Sequence, residues 1–401
     1  MSVIEYDVVI IGAGVAGLTA GALLADRGFK VALVTTGEPT ACLSTGCVDV
    51  CSRDHKPLSG INDLPPEHPY HLVPEKITRD ALNNFQTAMM DMGIPYAGTA
   101  EENRFILSAL GTLKTSCLVP LTMKTAPQDD KDSIHIVTFK GLKDFYPGYI
   151  ISRRKNTKFS VYDAGVYSTM GIASHFEEKE FFEKFIIWLG KLNIDEDKIA
   201  FPAVIGMESA AEIVNTIAIL MGKPVFEIPT IPPSMPGRRL FNALKGYFRK
   251  KGGMIYWSWP VEGTEKAGRL IEAVATHSAG RPNSINARAF ILATGSFVGG
   301  GLTATREAII ENVFNLPVHT DGPRETWFDN DYFSLNHGIG RAGIIADLSL
   351  RPVDSPWENI FVCGGILANT EILKNGCGHG LALATAHVAA QSCAEYLSNE
   401  I

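Results

Sequence analysis

The feature that most constrains this chain is the run Asp7-Val8-Val9-Ile10-Ile11 followed at once by Gly12-Ala13-Gly14-Val15-Ala16-Gly17. A continuous apolar run of this length is what a strand buried on both faces of a parallel sheet requires. Leu18, Ala22 and Ala25 then recur at helical spacing as far as Gly28, a natural helix stop, and Lys30 to Val34 reads as a second strand. The three glycines act differently. Gly12 permits the tight turn out of the strand, Gly14 lets bare backbone approach a phosphate, and Gly17 lets the helix lie close to the sheet. A phosphate would rest on the unpaired N–H groups and positive end of that helix.

Two later segments have the form of the other walls of such a site. Phe290-Ile291-Leu292-Ala293-Thr294-Gly295 is a buried strand ending in a bare turn, and Thr294 and Gly295 would meet the cofactor there. Asn359 to Gly365 is a strand ending in the pair Gly364-Gly365, followed by Asn375-Gly376-Cys377-Gly378-His379-Gly380 and a helix carrying Leu381, Ala384 and Val388. Together the three predict an α/β fold: a Rossmann-like dinucleotide-binding flavoprotein domain with an inserted mixed α/β cap domain. The flavin domain is expected to be discontinuous, 1–60 with 235–401, and the cap to span 61–234. The boundary signal is Ile228-Pro229-Thr230-Ile231-Pro232-Pro233-Ser234-Met235-Pro236-Gly237, whose prolines suit neither a sheet nor a helix interior. Ser234 there caps a helix that runs to Gly252-Gly253. Within the cap, helices are expected over Lys76 to Met92, Glu177 to Leu192 and Ala210 to Met221, with strands at Ser133 to Phe139 and Pro202 to Gly206. Beyond it, strands are expected at Met254 to Trp259, Arg269 to His277 and Ala289 to Ala293.

The expected cofactor contacts are Gly12, Gly14, Gly17, Thr35, Ser44, Gly46, Thr294, Gly295, Gly364, Gly376 and Gly378. Ser44-Thr45-Gly46-Cys47 is either a backbone and hydroxyl contact to the flavin ring or a plain polar loop. The acid that ordinarily ends the second strand and holds an adenosine ribose is replaced by Thr35-Thr36-Gly37, with Glu38 displaced. Either a hydroxyl takes over or the adenosine half is bound differently, or is absent as in FMN. The helix beginning near Gly378 would put its positive end at a flavin and raise the reduction potential.

No catalytic constellation stands out from spacing alone. His379 and His319, with His337, are candidates for the base that takes a hydroxyl proton during hydride removal, and a structural role competes for each. Arg306, just beyond Gly299-Gly300-Gly301, is a candidate clamp for an anionic substrate, as are Arg324 and Arg341, against an ordinary surface reading. Cys42, Cys47 and Cys51 match no zinc or iron–sulfur spacing, so no metal is expected, and seven cysteines in 401 residues read as free thiols. The net charge of -7 gives no reason to expect nucleic acid as a partner. Met1 to Tyr6 does not resemble a secretory leader and no run approaches a membrane span, so a cytoplasmic location is expected.

With these motifs in place the chain resembles the B subunits of the anaerobic glycerol-3-phosphate dehydrogenases. The resemblance rests on Val9 to Gly17, Leu110-Gly111-Thr112-Leu113-Lys114-Thr115-Ser116, Ile228 to Ser234, Ala293-Thr294-Gly295-Ser296-Phe297-Val298-Gly299-Gly300-Gly301-Leu302 and Gly376-Cys377-Gly378. It implies oxidation of sn-glycerol 3-phosphate to dihydroxyacetone phosphate, with electrons passed to a quinone. It also implies a catalytic A subunit, and an iron–sulfur C subunit that anchors the assembly at the inner face of the cytoplasmic membrane. FMN is the cofactor the resemblance implies, while the glycine motif fits FAD equally. Two other readings stay open: a self-contained fumarate-reductase-like flavoenzyme with another small acid substrate, and a flavin-free scaffold protein.

Overall fold

In the computed structural model, residues 3–278 and 280–399 are described; Met1 and Ser2 of the N-terminal segment lie outside them. The first half holds strand β1 (Val3–Ile11), helix α1 (Val15–Asp26), strand β2 (Val31–Thr35) and helix α2 (Glu75–Asp91). Next come β3 (Ile134–Phe139), β4 (Thr157–Tyr162), α3 (Lys179–Leu189), β5 (Lys198–Pro202), α4 (Ala210–Met221) and β6 (Val225–Ile228). The remainder contains α5 (Met235–Lys250), β7 (Met254–Trp257), β8 (Val261–Ala267), β9 (Leu270–Ser278), β10 (Arg281–Leu292), β11 (Ile360–Val362) and α6 (Gly378–Asn399).

Two sheets organise the molecule. The larger runs β7-β2-β1-β10-β9-β8, with β11 also on β10. Its centre is parallel, β1 lying between β2 and β10 with Ile11 level with Val34 and Leu292. Chain ends at 11, 34 and 292 therefore emerge side by side, and the loops leaving them must share one crevice. Val8 to Ile10, Val31 to Val34 and Ala289 to Leu292 are almost wholly buried, which explains their unbroken apolar sequence. The smaller sheet, β6-β5-β3-β4, is parallel throughout.

Each sheet anchors its own hydrophobic cluster. One cluster gathers β1, β2, β10, β11, α1 and α6, together with Ala81, Leu82 and Phe85 of α2. The other gathers β3, β5 and β6 with Phe176, Phe185 and Ile217. Between them Arg239 of α5 reaches from the first unit into the second. Its guanidinium donates to both carboxylate oxygens of Glu227 at 2.6 and 3.0 Å and to the carbonyl of Gly206.

That contact corrects one expected strand. The strand is β5, which ends at Pro202, and Ala203 to Gly206 form a buried loop instead. Pro202 has no N–H to continue the ladder, and the carbonyls of Ile205 and Gly206 turn to Arg239. The long β10 starts at Arg281, well before the apolar segment at 289. Ser234 does cap α5, its hydroxyl accepting from the N–H of Gly237 and donating to the carbonyl of Ser44.

Candidate functional site

The crevice outside the ends of β1, β2 and β10 opens into a cavity of about 370 Å³, a volume in the range of small-molecule sites. Gly12, Gly14, Thr35, Thr294 and Gly295 all line it, as do Ala13, Glu38, Trp259, Gly300 and Asn312. Gly12 has φ +112°, and a Cβ there would strike the carbonyl of Ala293. Gly17 does not line the cavity; it faces the carbonyl of Gly12, so its missing side chain lets α1 close on the turn.

Four observations fit this cavity to the phosphates of a flavin cofactor. A Cβ built on Gly14 meets no heavy atom within 4 Å, so the bare backbone fronts open space. Gly14 is also the N-cap of α1, and no side chain caps that end. The first turn of α1 carries no acidic residue, so nothing negative competes for its N–H groups. Finally, the buried hydroxyl of Thr294 has no hydrogen-bond partner, as expected of a group that meets a ligand.

An acid does stand near the end of β2, a few residues beyond its last position. Glu38 lines the same cavity, held by a two-pronged ion pair with Arg238 at 2.7 and 2.8 Å. That hydrogen-bonded guanidinium keeps the carboxyl below its ordinary range. Thr35 turns its hydroxyl to the carbonyl of Gly37 at 3.0 Å and so shapes the loop that presents Glu38. Trp259 and Asn312 reach the cavity from loops remote in sequence, and no local pattern marks them.

The other expected contacts gather elsewhere. Gly364 (φ +76°) packs against Ala16 of α1, and its N–H bonds the hydroxyl of Thr385 at 3.0 Å, which joins β11 to α6. Gly376 offers its carbonyl to Ser52, and Gly378 opens α6. Ser44 braces its own turn, accepting from the N–H of Gly46, while Gly46 abuts Pro236 and takes a hydrogen bond from the Tyr96 hydroxyl. Ser44 and Gly46 therefore have clear bracing contacts between the first residues of α5 and the strand following Pro95.

His379, in the first turn of α6, is drawn to this loop: its Nδ1 lies 2.9 Å from the Cys47 carbonyl. A carbonyl only accepts, so Nδ1 carries the proton and Nε2 keeps its lone pair. Burial pushes the imidazole below its usual range, favouring the neutral form, although the Cys47 hydrogen bond acts the other way. Beside it, Asp49 accepts from Lys114 at 2.5 Å and from Ser116 at 2.6 Å, so the segment Leu110 to Ser116 meets α6 at this seam. No sequence rule singled out Asp49.

Two candidates are not brought to either place. Arg306 is exposed at the tip of the hairpin 302–311 and makes no hydrogen bond or ion pair with the described residues. Its neighbourhood to Gly301 in sequence is undone by the strand that carries it outward. His319 lines a separate cavity of about 520 Å³ with Arg341, Asp321 and Glu371. All seven cysteines are free and buried, and among the described residues no three His, Cys, Asp or Glu side chains are grouped to hold a metal. Nor is any helix among them long and apolar enough to cross a membrane.

The FAD binding domain family matches residues 7–381, which gives a flavin, and FAD in particular, as the cofactor. The chain is 30% identical to the B subunit of the anaerobic glycerol-3-phosphate dehydrogenase of Pectobacterium atrosepticum, covering 96% of this chain and 98% of that one. It is 28% identical to the probable B subunit of the Halobacterium salinarum enzyme, over 99% of this chain and all of that one. Among solved structures, E. coli quinol fumarate reductase FrdA aligns with all of this chain and 72% of its own, at 9% identity and a TM-score of 0.48.

Proposed function

Since this chain belongs to the family of anaerobic glycerol-3-phosphate dehydrogenase B subunits, a flavin oxidoreductase family built on an FAD binding domain, we propose that it takes part in oxidising sn-glycerol 3-phosphate to dihydroxyacetone phosphate. Its partners in this reading are a catalytic A subunit and an iron–sulfur C subunit, which carries electrons to a quinone and holds the assembly at the cytoplasmic face of the membrane. The observation that supports the reading most is the coincidence of full-length similarity with an open, uncapped helix end at Gly14.

A flavin bound along this crevice supplies the two-electron acceptor. The N–H groups opening α1 would hold its phosphates, Thr294 would offer a hydroxyl, and Glu38 at the cavity wall would accept from a sugar hydroxyl. His379 is the group assigned to proton removal, because its hydrogen bond to Cys47 leaves an acceptor at Nε2 and burial favours the neutral imidazole. Arg306 receives no role.

The test is quinone-analogue reduction driven by sn-glycerol 3-phosphate in the assembled complex, with His379→Gln in this chain. The expected loss is roughly 10²–10⁴-fold in turnover at unchanged flavin content, the usual worth of a positioned base. Wild-type turnover would remove His379 from the chemistry.

A further inference from the structure

The cavity and the seam leave one organised segment unused. Between Trp327, which is buried, and Gly338 the chain makes a closed excursion, its ends tied by the N–H of Ile339 to the carbonyl of Trp327 at 3.0 Å. Inside it, the N–H of Asp329 donates to Nδ1 of His337 at 3.0 Å, and His337 Nε2 reaches the carbonyl of Tyr332 at 3.2 Å. The Asp329 carboxylate accepts from the N–H of Asp331 and from the hydroxyl of Ser334, both at 3.0 Å. Asp331 in turn accepts from the N–H of Phe333. These hydrogen bonds among the loop's own groups fix its shape.

What that shape presents is apolar. Phe328, Tyr332, Phe333 and Leu335 are 63, 83, 86 and 58% exposed. Ordering a loop costs conformational entropy, and holding large apolar side chains in water returns none of it within the single chain. A pre-ordered aromatic knob gains when another surface covers it, since the ordering cost has been met beforehand.

The charge around the knob selects the occupant. From Asp321 to Arg341 the sequence has four acids, Asp321, Glu325, Asp329 and Asp331, against two bases, Arg324 and Arg341, the latter paired with Asp321 at 3.0 Å, a net of -2. An anionic membrane would be repelled. A second copy meeting this face symmetrically would set acid against acid on a chain already at -7. We infer that residues 328–335 dock the chain onto a protein surface with an apolar pocket rimmed by lysine and arginine. On the reading above, in which this chain is one component of a complex, that surface belongs to its catalytic partner.

The experiment uses the full chain and its co-expressed catalytic partner, the A subunit, with binding measured by interferometry. Tyr332→Ser with Phe333→Ser leaves the frame of Asp329, Ser334 and His337 intact, and it is expected to weaken the complex at least about 30-fold, as two central aromatic truncations do. Flavin content and melting temperature of the isolated chain should not move. Glu325→Lys, on an exposed residue, should slow association and flatten its salt dependence. Binding by the double variant within about twofold of wild type would overturn the docking assignment while leaving the complex intact. Self-association of the wild-type chain, or sedimentation with phosphatidylcholine vesicles, abolished by the same variant would hand the knob to another occupant. If the wild-type chain bound no catalytic partner at all, its place in such a complex would fail with it.

Discussion

Gly14→Val separates folding from cofactor binding. Gly14 has φ -71° and ψ -179°, extended backbone that valine adopts readily, and a Cβ there touches nothing in the protein. Valine lowers the entropy of the unfolded chain, worth about 0.4–1 kcal/mol in favour of the fold. It is also a poorer N-cap than glycine, which costs an amount of the same order. The apoprotein should therefore hold its stability to within about 1 kcal/mol. Binding is another matter, because the new isopropyl group occupies the space above the first-turn N–H groups of α1. Hydrogen bonds to a charged group are worth about 1.5–3 kcal/mol each, so losing two removes about 3–6 kcal/mol, roughly 10²–10⁴ in affinity. The assay is the flavin-to-protein absorbance ratio after desalting, alongside urea unfolding of both apoproteins. The contrasting variant is Gly17→Val, whose Cβ would collide with the Gly12 carbonyl and should lose fold and flavin together. A Gly14→Val protein that folds normally and keeps stoichiometric flavin would refute the phosphate reading of this turn.

Other outcomes follow from the same structure. Arg239→Met strands Glu227, which is fully buried, and should destabilise the chain by about 3–5 kcal/mol in urea unfolding, while Arg239→Met with Glu227→Gln recovers part of that. His68 is buried, with its pKa pushed down to about 4, chiefly by desolvation. The unfolded chain, with an ordinary histidine near 6.5, binds more protons between those values. Stability is therefore full above pH 6.5 and falls by up to about 3 kcal/mol as pH drops towards 4; His68→Gln should flatten that slope, and an unchanged slope would clear His68. Arg306→Lys should leave kcat/KM of the assembled complex within about twofold, as for an exposed surface substitution, and a raised KM would restore the clamp role.

The parts legible in the sequence were those whose signal is local. The β1-α1-β2 unit announces itself because strand, glycine turn and helix lie within 35 residues. The ends of α4 coincide with expectation because Ala210 begins the apolar period and Gly222, at φ +63°, stops it in a left-handed cap. Strand β8 was not legible: Glu262, Thr264, Glu265 and Lys266 belong to a sheet-edge strand whose residues face mostly solvent, so no apolar alternation remains. The first half of β10 is equally polar, and pairing with β1 and β9 rather than propensity makes it a strand.

At the site the same division holds. The glycines and Thr294 carry their own signal because backbone approach demands small residues at fixed spacing. Trp259 and Asn312 enter the cavity only through tertiary packing, and the Asp49–Lys114 pair joins segments 65 residues apart. Glu38 was visible but out of register, and only the loop braced by Thr35 shows how it comes back to the cavity wall. Arg306 illustrates the converse, since nearness in sequence to a glycine turn says nothing about which way the following hairpin points.

On the proposed reading, the crevice at Gly12, Gly14, Glu38 and Thr294 receives the phosphate-bearing part of an FAD. The direct measurement is the mass and stoichiometry of the cofactor released by heat from the purified chain, taken with its visible spectrum. One FAD for each chain is expected, with its loss in Gly14→Val. A colourless wild-type protein, or one that releases only FMN, would contradict it.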